Sequence, residues 1–115
     1  MAGLLNKRTL RTLYKCFIAL PPFNRYRMPA PHKMFFGVTT NNEIHGQFSP
    51  DGMLIEIHED RKTLKQICEV LHHEMIHVYY YWNNRDSNDY EKHDERFDKF
   101  AIEICKLYGY SRRSF

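Results

Sequence analysis

The first regular pattern of hydrophobic and polar positions lies near the start of the chain. Apolar side chains follow the i, i+3, i+4, i+7, i+8 spacing of an amphipathic helix, at Leu10, Leu13, Tyr14, Phe17 and Ile18. Basic residues occupy the other face, at Arg8, Arg11 and Lys15. Because the consecutive prolines Pro21 and Pro22 cannot continue a helix, the pattern predicts that this first helix ends before them.

Three short runs after this helix have the composition and alternation of β-strands. They cover residues 34–40, 43–48 and 53–58, and turn-forming residues separate them at 41–42 and 49–52. In the third run Ile55 and Ile57 alternate with Leu54, Glu56 and His58, which predicts one buried face and one open face. We therefore expect a small three-stranded antiparallel sheet with meander connections.

Two longer helical patterns complete the chain. Residues 63–83 carry an apolar stripe formed by Leu64, Ile67, Cys68, Leu71, Met75, Val78, Tyr79 and Trp82. Residues 89–108 carry a second stripe formed by Phe97, Phe100, Ala101, Ile104 and Tyr108. Asn88 and Glu91 resemble a capping box, and Gly109 is placed to end the helix. The sequence predicts an α+β fold in which residues 1–115 form a single domain.

Composition restricts the classes of protein to which the chain can belong. It is 43% hydrophobic and 27% charged, as is usual for soluble globular proteins. No apolar run approaches the roughly 18 residues that span a bilayer, and the first residues lack the pattern of a secretory signal. Cys16, Cys68 and Cys105 are an odd, widely spaced set on or beside helical stripes, which favours reduced, buried thiols. We expect a cytoplasmic monomer without a membrane partner.

Charge is distributed unevenly along the chain. Residues 1–42 contain no acidic residue and carry seven bases, Lys7, Arg8, Arg11, Lys15, Arg25, Arg27 and Lys33. The rest of the chain carries an excess of acids, since the net charge of the whole is only +3. Such asymmetry is typical of a polyanion-binding face, although a solvated helix surface has the same composition. DNA is therefore a candidate partner, with Lys7, Arg8, Arg11, Lys15, Arg25 and Arg27 as candidate contacts.

The second long helix contains the densest chemistry in the sequence, LHHEMIH at residues 71–77. His73 and His77 are four residues apart, so their side chains lie on one face of the helix, within reach of a single metal ion. Together with Glu74 they form the HExxH pattern, in which the glutamate acts as general base of a zinc peptidase. His72 points about 100° away from His73 and is not expected to be a ligand.

A third ligand has to come from further along the chain. His93 is the only histidine after the pair, and it lies four residues before Phe97, on the inward side of the last predicted helix. We place it in the first turn of that helix. Asp94 and Glu95 remain alternatives, because a helix-borne carboxylate would give a His₂Glu site.

With its third histidine in the run HDERF at residues 93–97, the chain resembles the SprT-like family, the zinc metallopeptidase domain shared with the DNA–protein-crosslink protease Spartan. The resemblance implies a zincin-like fold in a minimal form without the zinc ribbon. It also implies Zn²⁺ held by His73, His77 and His93, Glu74 as general base, and endopeptidase activity on proteins or peptides, including DNA-associated ones. Family members commonly have glycine where this chain has Asp94. A DNA-associated member would act in the nucleoid or nucleus, and the small size suits a phage-encoded protein.

Two other functions remain open at this point. The chain could be a nucleic-acid-binding module in which zinc is structural, or a degenerate zincin that binds a partner protein. Three protein ligands and an intact glutamate favour catalysis over both, because closed structural sites normally have four protein ligands. For a peptidase, residues 45–48 or residues 55–58 are the candidate strand edges for holding a substrate.

Overall fold

The computed structural model describes residues 3–84 and 89–115. Within them, helices α1, α2 and α3 span Lys7–Ile18, Leu64–Asn83 and Glu95–Tyr108. Strands β1, β2 and β3 span Phe35–Thr39, Gly46–Ser49 and Leu54–His58 and form one sheet. The predicted α+β class is confirmed. No helix within the described ranges is long and apolar enough to cross a membrane.

The sheet is mixed, so the predicted antiparallel meander is wrong. The strand order is β1-β3-β2, with β1 parallel to β3 and β2 antiparallel to it. Thr39, at the end of β1, lies beside His58, and Gly46, at the start of β2, lies opposite Ile57. Residues 40–45 therefore cross the end of β3. Because β3 is central, residues 55–58 have no free edge, and only the 45–48 candidate belongs to an edge strand.

His58 ties this crossing segment to the sheet. Its ring is buried, and Nδ1 accepts a hydrogen bond from the main-chain N–H of Asp60 over 3.0 Å. Nε2 lies 2.8 Å from Oδ1 of Asn42, within hydrogen-bond distance. The alternation predicted for β3 holds for Ile55 and Ile57, which are fully buried, but His58 is buried as well because this loop covers it.

Helix α2 lies at the centre of the molecule. Its Thr63 N-cap forms a full capping box with Gln66, and the helix bounds agree with the predicted ones. The predicted stripe is only partly right. Leu64 is 52% exposed, and the buried residues surround most of the middle of the helix: Ile67, Leu71, His72, Glu74, Met75, Ile76, His77 and Val78. Helix α2 contacts β2 and β3, and α1 and α3 also pack against it. Both long sides of α2 are therefore covered.

Helix α3 begins later than predicted, which changes the position of His93. Asp94 is its N-cap, and its carboxylate accepts the main-chain N–H groups of Arg96 and Phe97 over 3.0 and 3.3 Å. His93 therefore lies in the loop before α3 and not in its first turn. Asn88, of the predicted capping box, lies outside the described residues. Gly109 ends the helix in the left-handed conformation with φ 77°, as predicted.

The cysteines are free thiols, but their burial differs from the prediction. Cys105 is buried and Cys68 is half-buried, whereas Cys16 is exposed on α1. In α1 the core-facing residues are Leu10, Tyr14 and Phe17. Cys16 directly precedes Phe17, so the turn of the helix carries it away from that face.

Candidate metal centre

Three histidine side chains from two parts of the chain converge beside α2. The ring nitrogens of His73, His77 and His93 lie within 4.8 Å of one another. The Nε2 atoms of His77 and His93 are 3.2 Å apart. Two nitrogens that bind one tetrahedral ion at about 2.0–2.1 Å are separated by roughly 3.3 Å, so this pair already has the spacing that a zinc ion needs.

Main-chain carbonyl groups orient the two histidines of α2. Nδ1 of His73 donates to the main-chain oxygen of Phe115, and Nδ1 of His77 donates to that of Tyr90, each over 2.6 Å. These bonds place the ring proton on Nδ1 and leave the Nε2 lone pair for a ligand. Outer acceptors of this kind accompany almost all metal-binding histidines, so the surroundings of His73 and His77 fit a zinc ion.

Burial keeps the histidines of α2 in the form that binds metals. The pKa of His73 is lowered to about 4, mainly by burial and to a smaller extent by the nearby His77 ring. Burial also lowers the pKa of His77 below its ordinary value. Both imidazoles are therefore neutral at pH 7, and a neutral imidazole offers a lone pair to a metal without first losing a proton.

Glu74 lies between the histidines and strand β2. Its side chain is only 7% exposed, and burial raises the pKa of the carboxyl group to about 8, while the main chain of Phe48 opposes this shift. A metal cation held by the neighbouring imidazoles would favour the carboxylate form, because an opposite charge nearby lowers the pKa of a carboxyl group. A buried carboxyl group next to a cluster of potential metal ligands has the placement expected of a general base.

Two clefts meet at this point. One, of about 200 Å³, contains all three histidines, Glu74 and residues of β2. The other, of about 670 Å³, shares Gly46, His73 and Glu74 with the first and extends toward Arg61 and residues 113–115. Because the clefts share these residues, they adjoin each other beside His73 and Glu74.

Gly46 allows β2 to approach α2 closely at the glutamate. A Cβ atom at this position would lie 2.5 Å from Cγ1 of Val70, 3.2 Å from the main-chain oxygen of Glu56 and 3.4 Å from Cγ of Glu74. The first distance is well inside van der Waals contact, and the second neighbour is main chain in the central strand. Only glycine therefore permits the observed spacing between the strand and the helix.

We expect Gly46→Ala to lower the free energy of unfolding by about 1–3 kcal/mol, the usual cost of forcing an extra carbon into a packed site. Gly37→Ala in β1 is the matched control, because its Cβ would lie 3.7 Å from the nearest atom. Denaturant unfolding monitored by circular dichroism measures both. Combining Gly46→Ala with Val70→Ala should recover part of the loss, and equal stability of the two single variants would contradict the steric account.

The competing carboxylate ligands are not part of the histidine cluster. Asp94 caps α3 and forms an ion pair with Arg96 over 2.9 Å, so its oxygens are already engaged. Glu95 is exposed in the first turn of α3 and is absent from the group of potential ligands among the described residues. The structure thus brings His93 to the pair, and neither carboxylate.

His72 belongs to a different environment, which the sequence did not reveal. Its ring lies 3.9 Å from the Phe17 ring and 4.3 Å from the Tyr108 ring, measured between centroids. Nδ1 is 2.8 Å from the hydroxyl oxygen of Tyr110, and burial lowers the pKa of the ring to about 3. His72 is therefore a neutral core residue, separate from the histidine cluster.

The six basic residues proposed as DNA contacts fall into two groups. Lys7, Arg8, Arg11 and Lys15 are exposed on α1, where the guanidinium of Arg11 lies over the Phe36 ring. Arg25 and Arg27 follow α1, and Arg25 forms an ion pair with Glu103 of α3 over 2.6 Å. The charge of Arg25 is therefore partly neutralised, whereas the group on α1 presents its charges to solvent.

No family model, curated protein or solved structure matches this chain in the comparisons. The function of the protein must therefore be inferred from the geometry of the site. Three features of that geometry were missing from the sequence analysis: the oxygens of Phe115 and Tyr90, and the close approach at Gly46. The two oxygens belong to the main chain and have no signal in the sequence, whereas a glycine inside a predicted strand does indicate a close approach.

Proposed function

We propose that this protein is a zinc-dependent endopeptidase with a zincin-like fold of the SprT-like type. The observation that carries the proposal is the convergence of His73, His77 and His93 beside a buried glutamate, at the outer edge of β2. Three protein ligands leave a coordination position open, which is the arrangement of catalytic zinc sites. The HExxH pattern then assigns Glu74 the role of base.

A zinc ion held by these imidazoles supplies Lewis acidity, which lowers the pKa of water and polarises a carbonyl group. Glu74 accepts the proton of the attacking water on a carboxylate oxygen and returns it to the nitrogen of the departing amine. The oxygens of Phe115 and Tyr90 keep the two rings of α2 in the required tautomer. Burial of Glu74 excludes bulk water from this proton path.

Strand β2 provides an edge on which a peptide can be held. The main-chain oxygen of His45 accepts a hydrogen bond from the N–H of His58. Every second residue from His45 onward therefore directs its main-chain N–H and C=O groups toward β3. Antiparallel alternation turns the main-chain groups of Gly46 and Phe48 outward, toward the histidines. A substrate that adds to this edge as an extended strand would be recognised largely through its backbone, and unfolded segments are the natural substrates of such a site.

The two rival functions make different demands on the site. A structural zinc would need a fourth protein ligand, and the cluster found among the described residues has three. A partner-binding zincin would have no need of a buried glutamate, since burying an ionisable carboxyl group is costly unless it has a role. Both arguments favour the peptidase.

The direct test is metal-dependent cleavage of an unfolded protein. We expect purified protein to contain about one zinc per chain and to cleave a generic unfolded substrate such as casein. Dialysis against a zinc chelator should abolish cleavage, and added Zn²⁺ should restore it, because the imidazoles need no other group to form the site. Zinc analysis and gel-based cleavage measure the two quantities. A zinc-loaded protein with no cleavage of any unfolded substrate would contradict the peptidase.

We further propose that substrates associated with DNA reach this site through the basic group on α1. Affinity for DNA should show no sequence preference and should fall steeply with salt, because each neutralised phosphate releases counterions. Arg8→Glu/Arg11→Glu should weaken binding and flatten the salt dependence more than Arg25→Glu/Arg27→Glu, since Arg25 is paired with Glu103.

A fluorescence-anisotropy titration across a salt series, with single-stranded and duplex DNA, measures these effects. The control pair is Lys62→Glu/Lys65→Glu, which makes the same charge change at exposed positions outside residues 1–42. Binding that neither arginine pair alters, or that the control pair reduces equally, would remove the role of the basic segment.

A further inference from the structure

The segment that follows α3 folds back over the helices and ends at the metal centre. Gly109 reverses the chain, and residues 111–115 then form a tight turn, which we call the 111–115 turn. The main-chain oxygen of Ser111 accepts the N–H groups of Ser114 and Phe115 over 3.2 and 3.1 Å. The turn is therefore held internally before it contacts anything else.

Side chains of the turn attach it to both neighbouring helices. Arg112 forms an ion pair with Asp98 of α3. Oγ of Ser114 donates to Oε1 of Glu69 in α2 over 2.8 Å. Glu69 precedes His73 by four residues, so this attachment lies one helical turn from the histidine, on the same face.

The aromatic ring of Phe115 completes the attachment. Its centroid lies 5.3 Å from that of His73, 6.0 Å from that of Tyr110 and 6.4 Å from that of Phe97. The ring is thus packed against the histidine whose Nδ1 donates to the main-chain oxygen of the same residue. One residue sets both the hydrogen bond and the packing of the His73 ring.

We propose that the 111–115 turn is the positioning device of His73, and that its attachments to α2 and α3 set how tightly the site holds a metal ion. The inference rests on the metal centre of the proposed function. The acceptor for His77 comes from Tyr90, whereas the acceptor for His73 among the described residues comes from this turn. Loosening the turn therefore frees the His73 ring to rotate or to change tautomer while the other two ligands stay in place.

Phe115→Ala and Ser114→Ala test the proposal through zinc affinity, measured by competition with a chromophoric chelator. Phe115→Ala keeps the main-chain oxygen but removes the ring that packs against His73 and helps to hold this oxygen in place. Because disturbing the outer partner of a metal-binding histidine typically lowers affinity about 10–100-fold, we expect this variant to weaken zinc binding by about tenfold. Ser114→Ala should act in the same direction with a smaller effect, and Ser114→Thr should restore affinity because it keeps the hydroxyl group. Ser111→Ala is the control, since the carbonyl group that holds the turn is unchanged.

A second readout needs no metal and separates positioning from general stability. In the metal-free parent protein, the ¹⁵N shifts of His73 should report a proton fixed on Nδ1, and in Phe115→Ala they should report a mixture of tautomers, while those of His77 remain unchanged. Circular dichroism checks that the variant is folded. Co²⁺ absorption should likewise change in Phe115→Ala and not in Ser111→Ala.

The outcomes distinguish this inference from the proposed function. A parent protein that binds no zinc would remove the peptidase, and the tautomer measurement would still decide whether the turn fixes His73. A parent protein that binds zinc, together with unchanged affinity and unchanged His73 shifts in Phe115→Ala, would overturn the positioning role and leave the metal centre intact.

Discussion

Replacing Glu74 with glutamine should leave zinc in the protein and lower peptidase turnover by about 10²–10⁴-fold, the usual contribution of a general base. The substitution removes proton transfer but keeps the size of the side chain, and all three imidazoles remain. Zinc content and the rate of cleavage of an unfolded substrate, measured on the same sample, test the separation of the two effects.

The control for this substitution is Glu59→Gln, which makes the same chemical change at an exposed position after β3. It should leave both zinc content and turnover unchanged. Turnover in Glu74→Gln within a few fold of the parent would remove Glu74 from the mechanism as the general base.

Replacing His93 with alanine should lower zinc affinity by orders of magnitude, whereas Glu95→Gln should change it by only a few fold. His93 offers a nitrogen 3.2 Å from that of His77, while Glu95 is an exposed residue of α3. A site with only two protein ligands lacks one metal–nitrogen bond and no longer fixes the tetrahedral geometry that zinc prefers. Chelator competition measures the affinities.

His73→Ala and His77→Ala should abolish zinc binding for the same reason. Full occupancy in the His73→Ala/His77→Ala double variant would show that the metal binds elsewhere. The opposite ranking of His93 and Glu95 would make this a His₂Glu centre and would weaken the likeness to the SprT-like family.

The sequence predicted the helices well because their signals are local. The i, i+3, i+4 spacing located α1 and α2, and Gly109 marked the end of α3. It located the strands but not their pairing, because alternation shows which residues face the core and not which strand lies next to which. The parallel pairing of β1 with β3 depends on residues 40–45 crossing the end of β3, and the bond between Asn42 and His58 that secures this crossing is non-local.

The sequence predicted the side chains of the site but not the main-chain groups that orient them. The HExxH spacing fixed His73, Glu74 and His77 on one helix, and the scarcity of later histidines led to His93. Its place in a loop was missed because Asp94, beside it, took the capping position. The burial of His77, which is only 7% exposed, had no signal in the sequence either. An amphipathic stripe does not show what covers the opposite side of a helix.

The order of the strands separates the working edge of the sheet from its other edge. β2 borders the site, whereas β1 lies on the far side of β3 and pairs with β3 alone. Local unfolding proceeds in cooperative units, so we expect β1 to open without displacing the strand that borders the histidines. Amide hydrogens of β1 should then exchange with solvent in openings that leave the site assembled, and sequence changes in this strand should act on the lifetime of the fold more than on the chemistry.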